Sequence, residues 1–222
     1  MRGERQHGRH GRQQLRSGGT ERRPRRNAAG RDLTANNTRC NGNATFLDTI
    51  MIYQSMSGDA DSGTSSFTMT GGSLTSKSGH MFHVTNTNAV IMLSDVKLSN
   101  EDGDNILLSV CADGWSGGSN TATLKASGQE LSGAVLVGSD SELTMELSGG
   151  SAFTGFVSGS ITNASGTPVS TEAGTVAVTL GSDCIWTLTA DSYITSFTGD
   201  ASCVITNGHT LYVNGTALTG TK

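Results

Sequence analysis

From residue 67 to residue 110, apolar and polar residues alternate in two similar passages. Each passage holds a short alternating strand, a bend marked by Gly or Asp, a polar turn and a second apolar strand. The first passage includes Phe67–Thr75 and Met81–Asn88, and the second includes Val90–Asn100 and Ile106–Val110. Alternation with a period of two indicates half-buried strands. The repetition predicts a coil of short strands that recurs along the chain.

The same strand pattern extends over residues 41–222. That region has five Glu, four Lys and two Gln, too few to clothe the solvent faces of helices, and Pro168 is its one proline. We therefore expect an all-β fold with almost no helix. The predicted inward positions of the two passages are Phe67, Met69, Leu74, Phe82, Val84, Ile91, Leu93, Val96, Leu98 and Leu107.

Apolar positions that match between successive units are separated by a loose period. Met69, Leu93, Leu124, Met145 and Val178 follow one another at intervals of 24, 31, 21 and 33 residues. One coil of short strands cannot bury its inward row alone, whereas coils above and below complete both the hydrogen-bond ladder and an apolar column. A right-handed parallel β-helix is the predicted architecture. The alternative is an antiparallel β-sandwich, in which Asn207-Gly208 would form a hairpin turn.

Charge divides the chain into two regions. Residues 1–40 hold all eleven arginines against three acidic residues, a net charge of +8, whereas residues 41–222 hold four lysines against sixteen acidic residues, a net charge of −12. Leu15 and Leu33 are the large aliphatics of the first region after Met1, so we expect it to be disordered. It is either a basic arm for nucleic acid or an irregular leader from a misassigned start. We favour the leader, expect no nucleic-acid partner, and assign the β-helix domain to residues 41–222.

Targeting and cysteine signals are weak. No apolar run of seven residues follows the basic start, so no signal peptide is visible, and the longest runs, such as Ala89–Leu93, fall far short of the roughly 20 residues of a membrane span. The four cysteines form no C-x-x-C pair and have no His at metal-ligand spacing, which argues against zinc. We interpret them as small buried hydrophobes; Cys184 and Cys203, 19 residues apart, are the alternative disulfide pair.

Five short sequence segments resemble those of a known family. They are Tyr53–Ala60, Phe67–Leu74, Phe82–Thr87, Trp186–Thr189 and Asn207–Val213. Over about residues 45–220 the chain resembles the adhesin-like β-helix surface proteins of anaerobic bacteria, which have the pectin-lyase-like superfold. The resemblance implies a secreted or cell-surface protein. It also implies a non-catalytic adhesin or structural stalk that binds carbohydrate or another cell-surface ligand.

An enzyme of the same superfold is the alternative function. A polysaccharide lyase or glycoside hydrolase needs a strong base or paired carboxylates facing the glycosidic bond. Residues 41–222 contain no arginine, and we place the acidic groups Asp59/Asp61, Glu101/Asp102/Asp104 and Asp140/Glu142 in turns. His80, His83 and His209 stand beside no Ser or Asp in a recognisable nucleophile motif. No catalytic residue is therefore predicted.

Two loops hold the candidate binding residues. Trp115, with Asp113 and Asn120, lies in a glycine-rich loop where an exposed indole could stack on a sugar ring; the alternative is that the indole covers an edge of the fold. Asn100, Asp102 and Asp104 offer oxygen ligands at alternate positions, which suits weak Ca²⁺ binding. The spacing lacks the Gly and Glu of an EF-hand loop, and no other cofactor is expected.

Overall fold

The computed structural model describes residues 26–40, 42–54, 63–114 and 119–222. In that part of the chain it contains strands, one 3-10 turn at Ala201–Cys203 and no α-helix. The strands are β1 (Arg26–Ala29), β2 (Asp32–Ala35), β3 (Asp48–Tyr53), β4 (Thr64–Thr70), β5 (Ser73–Ser76), β6 (His80–Thr85), β7 (Thr87–Ser94), β8 (Lys97–Asn100), β9 (Ile106–Val110), β10 (Asn120–Ser127), β11 (Glu130–Val137), β12 (Ser141–Ser148), β13 (Ala152–Ser158), β14 (Ile161–Thr162), β15 (Pro168–Ser170), β16 (Thr175–Leu180), β17 (Ile185–Leu188), β18 (Ser192–Ile194), β19 (Ser196–Thr198), β20 (Val204–Ile205), β21 (Leu211–Val213) and β22 (Thr216–Ala217). Across these residues, no helix has the length and apolar character needed to cross a membrane.

Two long sheets of seven strands each dominate the fold. The first long sheet has the order β1-β4-β7-β10-β12-β16-β19, and the second long sheet has the order β3-β6-β9-β11-β13-β17-β20. Every neighbouring pair in both sheets is parallel. The all-β prediction is confirmed, and the alternative antiparallel sandwich is wrong. Asn207-Gly208 is not a hairpin turn, because it links β20 to β21 in a different sheet.

The chain visits the sheets in rotation. It passes through β4, β5 and β6 and then through β7, β8 and β9, and each strand pairs with its counterpart in the next passage. The short third sheet, β2-β5-β8, is parallel as well. Stacking of equivalent strands in long parallel sheets completes the ladder that a single coil leaves open, and this arrangement is compatible with a β-helix or solenoid.

The register corrects one of the predicted equivalences. Met69 pairs with Leu93, and Met145 pairs with both Leu124 and Val178, as the matching positions predicted. Leu124, however, pairs with Ile91 and not with Leu93. The predicted match was two residues out of register, which keeps the side chain on the same face of the strand and so hides the error in the alternation pattern.

The third sheet ends at β8, and a side chain supplies hydrogen bonds to the residue that precedes that strand. The amide of Gln129, which is buried, accepts a hydrogen bond from the Val96 N–H at 2.8 Å and donates one to the Val96 carbonyl at 2.7 Å. From there the chain turns directly from β10 to β11 through Gly128, whose φ is +59°. The remaining elements are the antiparallel hairpin β14–β15 and the small sheet β18-β21-β22.

The main core lies between the sheets and contains most of the predicted inward residues. Nine of the ten predicted positions are buried, and the tenth, Leu98, packs against the core while partly exposed. Trp186 is fully buried and its indole N–H donates to the Gly155 carbonyl at 3.1 Å. All four cysteines are free, and Cys184 lies in the core, so the interpretation of cysteine as a buried hydrophobe holds there.

The first strands come earlier than the predicted domain boundary. β1 pairs with β4 and β2 pairs with β5, and Leu33 packs against the main core. Residues 26–35, which we expected to belong to a disordered leader ending at residue 40, therefore contribute one strand to the first long sheet and one to the third sheet. Residues 1–25 of the predicted leader lie outside the described residues.

Candidate functional site

The outer face of the first long sheet has a groove built from two rows of side chains in register. One row crosses five strands from β4 to β16, and the other runs beside it at the ends of the same strands. The rows are Thr68, Met92, Lys125, Glu146 and Thr179, and Thr70, Ser94, Ser127, Ser148 and Gly181. Because parallel strands lie about 4.8 Å apart, the rows follow the stacking direction for roughly 19 Å. The groove encloses about 580 Å³.

Hydroxyls and one ion pair set the chemistry of this groove. Lys125 Nζ lies 2.8 Å from Glu146 Oε2, and both side chains are about half exposed. Met92 is 38% exposed beside them and offers a soft apolar surface. The Ser and Thr hydroxyls can each donate and accept hydrogen bonds. The groove therefore combines Ser and Thr hydroxyls with a mainly apolar accessible surface, and its two charges neutralise each other.

The outer face of the second long sheet is covered in part by a second apolar layer. Residues 42–47, which we call the cover segment, place Phe46 over the rings of His83 and His80 at centroid distances of 4.7 and 5.2 Å. Ala134 and Leu136 of β11 belong to this layer, whereas Val135 and Val137 belong to the main core. Successive strand residues face opposite sides, so the layer lies outside the sheet.

A chain of buried polar side chains lies beneath the cover segment. Ser109 Oγ on β9 is 2.6 Å from His80 Nδ1 and 2.7 Å from His83 Nδ1, both on β6. His83 Nε2 lies 3.4 Å from Asp113 Oδ2, and both side chains are 0% exposed. We call His80, Ser109, His83 and Asp113 the histidine cluster. It contains the residue types of a Ser-His-Asp triad, yet its serine is fully buried.

Asp113 also fastens the cover segment. Its Oδ1 accepts hydrogen bonds of 2.7 Å from the Thr45 N–H, the Thr45 hydroxyl and the Gly114 N–H. The cover segment packs so closely here that a Cβ on Gly114 would lie 1.6 Å from the Asn43 carbonyl oxygen. The hairpin adds one contact, from the Ala164 N–H to the Thr45 carbonyl at 3.0 Å. The cover segment is thus held by polar contacts at Thr45 and an aromatic contact at Phe46.

Burial shifts the ionisation of the cluster and its neighbours. Burial, aided by the charge of His83, lowers the pKa of His80 to about 4. Burial alone would raise the pKa of Asp113, but the nearby imidazole of His83 and the hydrogen bonds from Thr45 and Gly114 together hold it below its ordinary value. Burial raises the pKa of Asp48, with Asp113 acting in the same direction and His83 against it. Burial and the charge of Asp113 raise the pKa of Cys111 to about 12.

The predicted ligand-binding residues fall into three different situations. Asp113 lies in the histidine cluster, and its carboxylate is buried. Asn120 accepts a hydrogen bond from the Asn86 N–H at 2.9 Å, so its side chain supports a turn with positive φ. Trp115 lies outside the described residues. The structure therefore does not bring Asp113 and Asn120 together as an exposed pair, and stacking on Trp115 stays a prediction.

The predicted calcium ligands lie at the end of β8 (Asn100) and in the turn between β8 and β9 (Asp102 and Asp104). Asn100 Oδ1 accepts from the Asp102 N–H at 3.0 Å, and Asp102 Oδ1 accepts from the Asp104 N–H at 3.1 Å. The other oxygen of Asp102 accepts from the Gly79 N–H at 2.7 Å. Within the described ranges, no three His, Cys, Asp or Glu side chains gather as metal ligands. These side chains organise the turn, and weak Ca²⁺ binding stays a prediction.

Sequence reasoning missed both the groove and the histidine cluster. The cluster joins His83 to Ser109 and Asp113, 26 and 30 residues further on, so no local motif reveals it. The signal that could have found it is register, since His83 and Ser109 are direct partners on neighbouring strands. The carboxylate Glu142, which we placed in a turn, lies on β12 and faces solvent. The acidic turn at Glu101, Asp102 and Asp104 is where we predicted it.

Comparisons with known proteins give no relative for this chain. No family model, no curated protein and no solved structure matches it. The resemblance to adhesin-like β-helix proteins therefore remains a prediction from sequence phrasing, and function must be inferred from the geometry of the groove and the histidine cluster.

Proposed function

We propose that this chain is a parallel β-helix that binds an extended, uncharged, hydroxyl-rich polymer, such as a neutral glycan chain, without cleaving it. The observation that carries the proposal is the groove on the first long sheet, whose first row keeps register across five strands and whose second row keeps it across four. A linear polymer laid along the stacking direction meets a similar set of groups at each strand. The proposal includes the secreted or cell-surface location that the resemblance implies.

The β-helix part of the proposal is supported by the order of strands within each sheet. Each long sheet follows chain order and is parallel throughout, and the third sheet repeats that order over three strands. A chain that returns to the same sheet once per passage, always in the same direction, is compatible with winding around a common axis, which supports the β-helix. Such a fold presents a ladder of outward side chains with a constant spacing, which suits repetitive ligands.

The chemistry of the groove favours an uncharged ligand. Polyanions are held in protein sites by unpaired cations, whereas Lys125 is the one cation of the described groove lining and is paired with Glu146 at 2.8 Å. Serine and threonine hydroxyls exchange hydrogen bonds with sugar hydroxyls in either direction. Met92 adds an apolar surface for the less polar face of a sugar ring. These features support neutral glycan over acidic glycan.

The same lining argues against glycoside hydrolysis in the groove. Retaining hydrolases need two carboxylates about 5 Å apart, and inverting hydrolases need them about 6.5–9.5 Å apart. Among the described residues that line the groove, Glu146 supplies the one carboxylate, and Lys125 engages it. A binding role without cleavage fits this lining better than the enzymatic alternative does.

Glycan-array binding of the full chain, followed by calorimetry on the best neutral and acidic oligosaccharides, tests the proposal. Ser127→Arg places a long side chain in the groove and should weaken binding by at least about tenfold, or 1.4 kcal/mol. Thr121→Arg is the matched control, since it changes the same strand and leaves the groove lining intact. Equal loss in both variants, no neutral-glycan binding, or release of new reducing ends would contradict the proposal.

A further inference from the structure

The histidine cluster contains one hydroxyl between two imidazoles. Ser109 Oγ is within hydrogen-bond distance of both His80 Nδ1 and His83 Nδ1. A serine hydroxyl has one proton to donate and lone pairs that accept. Both contacts are hydrogen bonds when one Nδ1 carries a proton and the other does not. The arrangement therefore accommodates two neutral rings, or one neutral ring and one charged ring.

A charge on His83 is compensated in this arrangement. Its Nε2 faces the buried carboxylate of Asp113 at 3.4 Å, and its protonated Nδ1 can donate to Ser109. The Ser109 hydroxyl then donates to Nδ1 of a neutral His80. When His83 is already charged, the network cannot take a further proton on His80 Nδ1. With both imidazoles protonated, two N–H groups point at the same oxygen, the serine proton loses its acceptor, and two cations face each other with ring centroids 6.1 Å apart.

We propose that the histidine cluster is an acid-sensitive latch, which holds the cover segment on the second long sheet at neutral pH and releases it when both imidazoles are protonated. The cover segment contacts both rings through Phe46 and contacts Asp113 through Thr45. Disruption of the cluster therefore weakens the contacts at Thr45 and Phe46 together, and leaves the backbone hydrogen bonds from Ala164 to Thr45 and from His80 to Leu47. Release would uncover the apolar layer formed by Phe46, Cys111, Ala134, Leu136 and Ile161.

Other titratable groups around the cluster modify its response to pH. Asp102, whose carboxylate binds the Gly79 N–H, and Asp113 both favour a charge on His80, whereas His83 opposes it. Asp48 lies near His83 and Asp113, and Cys40 and Cys111 lie near Asp113. Asp48 acts against the latch, because its raised pKa makes the closed form bind its proton more readily than the released form does. Burial keeps both thiols in the neutral form.

The direction of the response follows from His80. Its pKa is about 4 in the closed fold and returns to about 6.5 when the ring is exposed. Between these values the released form binds more protons than the closed form, so falling pH favours release. One linked proton changes the closed-to-released ratio by about tenfold per pH unit in this window. Above about pH 6.5 the latch is fully closed.

Cysteine labelling can report the release at one position and global unfolding at another. Cys111 is 1% exposed beneath the cover segment, and Cys184 is 1% exposed in the main core. The full chain with Cys40→Ser and Cys203→Ser would be labelled with a disulfide reagent that reacts in acid, such as 4,4′-dithiodipyridine. Mass spectrometry of the two peptides gives both rates, each divided by the rate of the denatured chain at the same pH.

The latch predicts that the Cys111 rate rises by about tenfold from pH 6 to pH 5 while Cys184 stays protected. His80→Asn keeps a polar group near Ser109 but does not titrate, and its Cys111 rate should change by less than about twofold over the same range. His209→Asn is the control, because it removes a histidine outside the histidine cluster and should behave as the parent. Ser109→Ala should expose Cys111 already at neutral pH.

Three outcomes would overturn the latch. The first is a Cys111 rate in the parent protein that changes by less than about twofold between pH 6 and pH 5. The second is a His80→Asn variant that follows the parent. The third is a parallel rise at Cys184, which would show acid unfolding of the whole chain. Protection of Cys184 at neutral pH shows that each variant has folded, and Ser109→Ala provides an independent test if His80→Asn does not fold.

Discussion

The two long sheets share one core and differ on their outer faces. The first long sheet leaves its outer rows open, with exposed hydroxyls, Met92 and the Lys125–Glu146 ion pair. The second long sheet is overlaid near β6, β9 and β11 by the cover segment, with aromatic, aliphatic and ionisable groups buried below it. The inner faces look alike because stacking requires an apolar column at every level.

This difference shows that the outward-facing residues, and not the inward-facing ones, distinguish one sheet from the other. Residues that point inward are constrained by the levels above and below, so they vary little in character. Residues that point outward are free to become a binding surface or a second layer. On the first long sheet they stay exposed and repeat, which suits a polymer. On the second long sheet they form a buried polar cluster, the histidine cluster, where β6 and β9 meet the cover segment.

Removing one aromatic ring from the main core and one from the apolar layer under the cover segment should give the largest difference in the free energy of unfolding. Phe153→Ala empties part of the main core beside Trp186 and should lower the free energy of unfolding by about 3–5 kcal/mol. Phe46→Ala should lower the free energy of unfolding by less. Its effect cannot exceed the free energy gained when the cover segment docks on the second long sheet. Denaturant unfolding measures the first effect, and Cys111 labelling measures the second. Equal global losses would show that the two layers unfold as one unit.

A glycine substitution should detach the cover segment without touching the main core. Gly114→Ala places a Cβ where the Asn43 carbonyl oxygen lies, so the loop and the cover segment must separate. We expect a stability loss of about 1–3 kcal/mol. Hydrogen exchange should increase at residues 42–47 and remain slow in β12 and β16 of the first long sheet. Unchanged exchange at residues 42–47 would mean that the contact can relax.

A matched pair of serine substitutions should separate the buried outer face from the open one. Ser109→Ala leaves the Nδ1 atoms of His80 and His83 without their shared hydroxyl and should cost about 1–3 kcal/mol. Ser127→Ala changes an exposed groove residue and should stay within about 0.5 kcal/mol. Thermal unfolding of both variants provides the comparison. Similar costs would mean that the histidine cluster is no better packed than the groove.

The smallest expected effect concerns the ion pair in the groove. Lys125 and Glu146 are about half exposed, so a double-mutant cycle with Lys125→Met and Glu146→Gln should give a coupling of about 0.2–1 kcal/mol. Added salt should reduce it further, since exposed charges are screened. Lys125→Met alone leaves Glu146 as an unpaired anion and should weaken neutral-glycan binding only modestly. A coupling well above 1 kcal/mol would show that the pair is more shielded than its exposure indicates.

The strand content and the inward residues could be predicted because they follow from local alternation. Phe67, Met69, Ile91 and Leu93 are buried because each continues a period-two pattern in its own strand. Trp186 and Leu188 are buried in the same alternating way on β17. The acidic turn at Asp102 was also predictable. A short polar run between two strands forms a turn, whichever partners those strands pair with.

Pairing between distant strands decided what alternation could not. Leu124 pairs with Ile91 and not with Leu93, and a shift of two residues in register does not disturb alternation. Asp113 reaches His83 because Ser109 is the register partner of His83 and the chain turns back after β9. The strands at residues 26–35 form because β4 and β5 offer edges to pair with, although their own composition is poor in large apolar residues.

The sequence by itself determined that the protein is all-β, that its strands alternate, and which side chains point into the core. These properties depend on residues close together in the chain, and the hydrophobic effect acts on them in any stacked arrangement. Only the tertiary structure decided that the groove residues align across five strands, that the cover segment overlies the second long sheet, and that Ser109 lies between two histidines. Register and loop closure set these distances, and neither is encoded in any single strand.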